Sequence, residues 1–189
     1  MIASRARKGR STAIPPEVTT APMVIHSGGT PYLTFSAGHS HYALYIVSTT
    51  AIVDAPSIAA DPRMPEFVKG AVQVEDRLIP VIDLASRMGL PPARVARRCC
   101  VVLVNAHLGD KVIEVGVEVD HVQEVLDLGR PEPDLPPPCG ANINTHFVEL
   151  MAKRPGHYAM VMHVEQLLFT DELLALSELE ELADDVVHH

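Results

Sequence analysis

Pro65-Glu66-Phe67-Val68-Lys69-Gly70-Ala71-Val72, followed by Arg77-Leu78-Ile79-Pro80-Val81-Ile82-Asp83-Leu84, is the stretch that decides the fold. An apolar pair leads into a glycine, where the backbone has to bend. β-Branched residues recur in both halves, and the charged pair Glu75-Asp76 separates them as a turn would. The pattern predicts a β-hairpin. Pro80 near the start of the returning half predicts a sheet edge, because proline cannot donate to a ladder on both sides.

Working outward, Tyr32–Phe35 and Tyr42–Val47 read as two strands around a turn at Gly38-His39-Ser40-His41. Ser48 to Val53 reads as a short helix or turn, and Asp54 to Pro65 as a proline-bearing loop. After the central hairpin, Ala85–Met88 reads as a helical turn stopped by Gly89 and Pro91-Pro92. Residues 91–97 form a connector. Arg98–Asn105 and Val112–Val119 read as strands joined through His107–Asp110, with apolar and acidic side chains partly alternating in the second. Asp120–Leu128 continues as a further strand. Five prolines in residues 129–144 predict a rigid extended loop. Phe147–Lys153 and His157–His163 make a last hairpin around Arg154-Pro155-Gly156. From Val164 the leucines 167, 168, 173, 174, 176, 179 and 182 recur at helical spacing, with acidic residues opposite, predicting a terminal helix broken near Thr170.

Many short strands with tight turns predict a mostly β fold over residues 31–163. Two five-stranded lobes fit better than one large sheet, because the connector divides the strands into two groups. The 189 residues suit one domain or two small lobes sharing a core. With no tryptophan, that core is built from Val, Leu, Ile, Ala and Met. A net charge of −9 argues against nucleic acid or an anionic membrane as the main partner. The charge is uneven: residues 1–30 carry Arg5, Arg7, Lys8 and Arg10 against Glu17, whereas seven carboxylates and no Lys or Arg follow from Asp171. The first 30 residues read as a disordered basic tail or a polybasic contact to an anionic partner. No apolar run there suits a signal peptide, and none elsewhere suits a membrane span. Cys99, Cys100 and Cys139 lack metal or redox spacing and read as three reduced thiols of a cytosolic protein.

Chemistry-bearing patterns are sparse. His39 and His41 have the spacing of two metal ligands but sit in a turn, and two ligands make a poor site; no metal and no cofactor are expected. Asp120-His121 beside Glu124 resembles an acid–base pair, yet neighbours on a strand point to opposite faces. Nucleophile elbows, phosphate loops and dinucleotide fingerprints are absent.

Four segments resemble the CheW-like family of chemotaxis coupling proteins, over residues 31 to about 170. The first is Pro65-x-Phe67-Val68-x-Gly70 with Ile79-Pro80-Val81-x-Asp83-Leu84. The second is Gly116-x-x-Val119-Asp120-x-Val122-x-Glu124-Val125. The strand His41–Leu44 and the closing stretch His157–Leu168 add weaker matches. The resemblance implies two SH3-like five-stranded β-barrel lobes on a shared core, with short helices and a C-terminal helix. Lobe one would cover about 35–96, and lobe two about 97–170 plus the opening strand, before an acidic helix and tail at 171–189. It also implies a non-catalytic adaptor, cytoplasmic at membrane-associated receptor arrays, joining a methyl-accepting chemoreceptor tip to a CheA-type histidine kinase. The receptor-binding groove maps by resemblance to Ile46, Thr49, Ile52 and Val119. The kinase-binding surface maps to Ile58, Met64 and Phe67. Each of Ile46, Val119 and Phe67 reads equally well as core.

Departures from the family pattern are specific. Glu75-Asp76 stands where Arg-Gly is usual, reversing the charge; an acidic position falls at Ala51; the closing Leu-Asp becomes Met162-His163; and a glycine becomes Leu150. Together they set the usual receptor and kinase partners in question more than the fold, and Glu75-Asp76 leaves room for a specialised system, such as one governing pili or surface behaviour instead of flagella. Two other classes stay open: a scaffold for unrelated peptides, and a small enzyme with His121, Asp83 and Cys139 converging.

Overall fold

The computed structural model describes residues 30–54, 57–60, 62, 67–90, 99–127, 145–154, 156–169, 171–172, 174–176 and 178. The tail 1–29, the connector 91–97, the proline-rich stretch 129–144, Met64 and Cys139 lie outside the described residues.

Among the described residues ten strands form two five-stranded, largely antiparallel sheets, with only short helical pieces between them. Sheet one runs in the order β8 (His121–Asp127), β1 (Pro31–Ala37), β2 (Ser40–Tyr45), β10 (His157–Met162), β9 (Leu150–Arg154). Sheet two runs β3 (Thr49–Asp54), β6 (Cys100–Leu108), β7 (Lys111–Val119), β5 (Arg77–Asp83), β4 (Val68–Val74). The helices are α1 (Leu84–Arg87) and α2 (Val164–Leu167). The mostly β, two-sheet architecture expected from the strand pattern is the one found.

A single apolar core lies between the sheets. Leu33, Phe35, Tyr42 and Leu44 from sheet one meet Ile82, Val102, Val104, Ile113, Val115 and Val117 from sheet two. Strand alternation explains which side chains go there. In β7 the odd-numbered residues from Ile113 to Val119 enter this core, while Glu114 and Glu118 face the other way. A smaller core fills the opposite side of sheet two, from Val53, Val72, Val74, Ile79, Val81, Val101 and Leu103. Cys100–Val104 of β6 is therefore buried on both faces, which is why it is a continuous apolar run. Gly116 belongs where it is because a Cβ there would come within 2.6 Å of Val101 Cγ1.

Several sequence expectations are corrected. Ser48–Val53 is not a helix: a 3-10 turn at Ile46–Ser48 leads directly into β3, whose β-branched residues pair with β6. Phe147 sits in a second 3-10 turn, Thr145–Phe147, ahead of β9. Pro80 is not on an edge, since β5 lies between β4 and β7. Ala71, opposite Pro80, turns its N–H and C=O away to Ala59, at 2.9 and 2.8 Å. Pro80 thus faces β7, and the parallel β5–β7 ladder begins only at Val81, so no donor is missed. Each sheet draws on both stretches of the chain: β2 of sheet one lies within 35–96, and β6 and β7 of sheet two lie within 97–170. The helical C-terminal pattern breaks at Leu168 and Phe169, then resumes by residue 171.

Two polar side chains at the edge of this core behave in opposite ways. Asp120 Oδ2 accepts the Gly38 N–H at 2.6 Å, and the Asp120 N–H donates to the Ser36 carbonyl at 2.9 Å. That carboxylate ties the β1–β2 turn, where Gly38 has φ +61°, to the β7–β8 junction. Tyr42 is fully buried against Phe35, and its hydroxyl has no well-formed partner. Burial pushes its phenol up to about 12, with Ser40 close enough to soften the rise.

Asp120→Ala should cost about 1.5–3 kcal/mol in urea unfolding, the range for a hydrogen bond to a charged group. Tyr42→Phe should be neutral or stabilise by about 1 kcal/mol, because it removes an unsatisfied hydroxyl. The unfolded phenol ionises from its ordinary value of 10, whereas the native one waits until about 12. Stability should therefore fall as pH rises from 10 towards 12, and Tyr42→Phe should flatten part of that fall.

Candidate interaction surfaces

The chain crosses from sheet one to sheet two between β2 and β3, and three residues expected to form a groove lie at that crossing. Ile46 opens the 3-10 turn, Thr49 opens β3, and Ile52 follows on the same strand. Ile46 and Ile52 are half-buried, packed on the margin of the shared core. β3 is an edge strand of sheet two. Its register slips between Thr49 and Ala51, and Thr50 Oγ1 closes the irregularity by reaching Leu103 O at 3.3 Å and Glu114 Oε1 at 2.5 Å. The Thr49 hydroxyl is buried without a partner. Val119 is different: at 2% exposure it belongs to the shared core, paired with Cys100 of β6. The structure thus brings Ile46, Thr49 and Ile52 to one edge and leaves Val119 beneath. Val47, which sequence reasoning does not single out, is 71% exposed at the tip of the same turn.

The second expected surface is less unified. Ile58 packs on the smaller core, and its neighbour Ala59 pairs with Ala71 on the outer edge of β4. Gly70 permits this approach, since a Cβ there would lie 2.5 Å from the Ala59 carbonyl oxygen. Phe67 instead packs against the shared core. The two residues therefore lean on different cores, and Met64 is outside the described residues.

Glu75 and Asp76 form the exposed two-residue turn between Val74 and Arg77. Glu75 has φ +53°, a left-handed conformation that favours glycine. Near this turn Arg77 Nη1 meets Glu114 Oε2 at 2.5 Å, and on another part of sheet two Lys69 Nζ meets Glu118 Oε2 at 2.5 Å. Both carboxylates are mostly buried. Burial pulls the Lys69 ammonium down, but the bond and charge of Glu118 outweigh it and leave it above its ordinary value.

A cluster without a sequence signature surrounds Arg87. Its Nε donates to Leu167 O at 2.8 Å, Nη1 donates to Glu172 Oε1 at 2.8 Å, and Nη2 pairs with Glu172 Oε2. The guanidinium carbon lies 5.9, 5.2 and 5.1 Å from the ring centres of Phe67, Phe147 and Phe169. Leu167 and Glu172 are 80 and 85 residues away in sequence, beyond any local signal.

Asp83 and His121 lie on different sheets. Asp83 caps α1 by accepting the Ser86 N–H at 3.1 Å. His121 is exposed at the start of β8, and Cys139 lies outside the described residues. His41 stacks with His157, ring centres 4.2 Å apart, and not with His39; its Nδ1 is 3.2 Å from Gln123 Nε2. Among the described residues no group of three or more His, Cys, Asp or Glu has the geometry to hold a metal. Cys99 and Cys100 are free thiols, and burial pushes both up, away from the reactive thiolate. No helix among the described residues is long and apolar enough to cross a membrane.

Two five-stranded sheets on a shared core, with half-buried apolar residues along edges and turns, make a mostly β scaffold. The model of the CheW-like domain matches residues 31–172, and the chain belongs to that family. It is 23% identical to the chemotaxis protein CheW of Treponema pallidum over 164 residues, covering 84% of this chain and 93% of that one. Against the CheW of Klebsiella aerogenes the identity is 23% over 145 residues, covering 77% and 85% respectively. The crystal structure of the scaffolding protein TtCheW from Thermoanaerobacter tengcongensis superposes with a TM-score of 0.63 at 28% identity, covering 78% of this chain and 99% of that one. The protein is a non-catalytic scaffold of the chemotaxis class, and the family assignment expected from the two central motifs holds.

Relief of the left-handed Glu75 is directly measurable. Glu75→Gly should raise unfolding stability by roughly 0.5–1 kcal/mol, the left-handed strain less the extra chain entropy of glycine. An unchanged or lowered denaturation midpoint would show that the turn relaxes at no cost.

Proposed function

We propose that this protein is an adaptor coupling the cytoplasmic tip of a methyl-accepting chemoreceptor to a CheA-type histidine kinase, on the cytoplasmic side of a receptor array. The observation that carries the reading is the β2–β3 crossing, where an exposed Val47 and half-buried Ile46, Thr49 and Ile52 share one edge. A helical receptor tip presents an apolar stripe, and such a stripe suits an edge of this kind. Ile58, Met64 and Phe67 are assigned to the kinase on the strength of the family resemblance. Each contact would bury about 1,000 Å² or less, hence be weak and reversible. Many of them in an array raise the effective concentration of each partner. Signal then passes as a shift in the populations of kinase arrangements, for which the adaptor needs no chemistry of its own.

Glu75-Asp76 supports a specialised, non-flagellar pathway, because an acidic turn replaces the basic one and favours a partner of opposite charge. A scaffold for unrelated peptides is the competing reading, and partner identity separates the two.

Pull-down with cognate receptor and kinase fragments tests the proposal; binding to neither at low salt removes it. Val47→Asp should weaken receptor-fragment binding about tenfold, or ~1.4 kcal/mol. Kinase binding and the melting temperature should not change, since Val47 packs on little. Equal receptor affinity in V47D would move that contact off this edge.

A further inference from the structure

We propose that His41 and His157 form a two-histidine site for a late divalent transition-metal ion, Cu2+ before others, on the face of sheet one turned away from the shared core. The site is independent of the adaptor role. In β2 the shared core takes Tyr42 and Leu44, so His41 and Ala43 face the opposite way. β10 runs beside β2 in parallel with Ala159 opposite His41. His157, two residues before Ala159, stands on that same face. The two imidazoles are therefore diagonal neighbours on adjacent strands, with ring centres 4.2 Å apart. His157 is exposed and His41 half-buried, so an ion can reach both. Sequence spacing offers His39 as the companion of His41; the strand register supplies His157 instead.

That separation suits one coordination geometry. With a metal–nitrogen bond of about 2.0 Å and the ring centre ~1.2 Å behind the nitrogen, two cis imidazoles on a square-planar ion have centres roughly 4.5 Å apart, against roughly 5.2 Å on a tetrahedral ion. Tetragonal sites of nitrogen and oxygen select Cu2+ or Ni2+, and Cu2+ stands highest in the affinity order. His41 also has the orienting partner that a metal-bound imidazole needs. Gln123 Nε2 lies 3.2 Å from its Nδ1. With the carboxamide turned so that Oε1 accepts an Nδ1–H, the tautomer is fixed and Nε2 is left for the ion. Among the described residues no third His, Cys, Asp or Glu completes a set, so water supplies the oxygen ligands. Room for it exists, because the imidazoles border a cavity of about 360 Å³ whose wall includes Thr34, Gln123, Leu126 and Ala159. The corresponding face of sheet two is filled by Val72, Ile79, Val81 and Leu103. Sheet one carries Ala43, Ala152 and Ala159 there, and their small side chains leave the space. A bound ion would staple β2 to β10, the joint that brings the two ends of sheet one's chain path together.

Copper can also settle on the adjacent pair His188-His189, so the test uses the full chain carrying H188A/H189A as its parent. Titrated with CuCl2 in a non-coordinating buffer, the parent should bind one equivalent about tenfold or more tightly than the same chain with H41A or H157A added, since two ligands held together act as one chelate. H41A/H157A should weaken binding little beyond either single variant, the mark of one shared ion. H41F, which keeps a ring in the stack and removes the ligand, should lose copper as H41A does. H39A should bind as the parent does. Q123A should weaken binding by about tenfold, as loss of an orienting partner does. Pulsed EPR should report two equatorial imidazoles in the parent and no more than one in either single variant. Copper should also raise the melting temperature of the parent and not that of H41A/H157A, because a staple across β2 and β10 favours the folded chain. Equal affinity in the parent and either single variant, or a one-imidazole signal in the parent, overturns the site and leaves adventitious copper only. A double-variant loss equal to the product of the single losses marks two separate weak sites and overturns it as well.

Discussion

The shared apolar core is the constraint on which everything else depends. Each sheet is five strands with one face that no element of its own covers, and each covers the other. Neither could remain folded alone, because Phe35, Tyr42 and Leu44 would face water on one side and Val102, Val115 and Val117 on the other. The connections follow from this. The described strands begin in sheet one, cross at Ile46–Ser48, build all five strands of sheet two, and return through β8 to close sheet one. Returning strands dock beside earlier ones in parallel at β2 with β10 and β5 with β7, and antiparallel at β1 with β8 and β3 with β6.

Much of this is legible in the residues. Period-two alternation locates most strands, and the Phe67–Leu84 hairpin and the Gly116–Val125 run carry the family likeness. What alternation cannot encode is which strand lies beside which. It marks faces, not neighbours, so it pairs β1 with β2 across their turn but says nothing of β8 beside β1 or β10 beside β2. Pro80 misleads for a related reason: proline excludes a donor, but a mid-strand residue just before a late-starting parallel ladder needs none there. The 3-10 turn is three residues long and has no glycine or proline, so no punctuation announces it.

The interaction surfaces are legible unevenly. The alternation of β7 already argues for Val119 as core, since Ile113, Val115 and Val117 share its parity. Ile46, Thr49 and Ile52 fall together because a turn and an edge strand follow one another directly. Arg87 has no local signature at all: an arginine near a helix end reads as solvated, and only tertiary structure brings Glu172 and three phenylalanine rings to it. Asp120 is legible as a family residue yet not as a fastener, because the Gly38 N–H it accepts lies 82 residues away.

Burial on both sides decides where sheet two can meet another protein. One face carries the shared core and the other carries the smaller core, whose flanks hold Glu114 with Arg77 and Glu118 with Lys69. Faces so occupied cannot receive a partner without unfolding, which leaves edges and turns. The β4 edge is already engaged by Ala59, whose two backbone bonds to Ala71 use the donor and acceptor that an incoming strand would need. β3 is the other edge, and it begins where Val47 stands clear of the surface and Ile46 and Ile52 lie at the margin of the core. A partner seated there would extend the shared core outward and cover apolar area that is now half-wet, at no cost to the packing beneath. Among the described residues, then, the packing that makes the fold indivisible leaves β3 as the sheet-two edge with no further strand beside it.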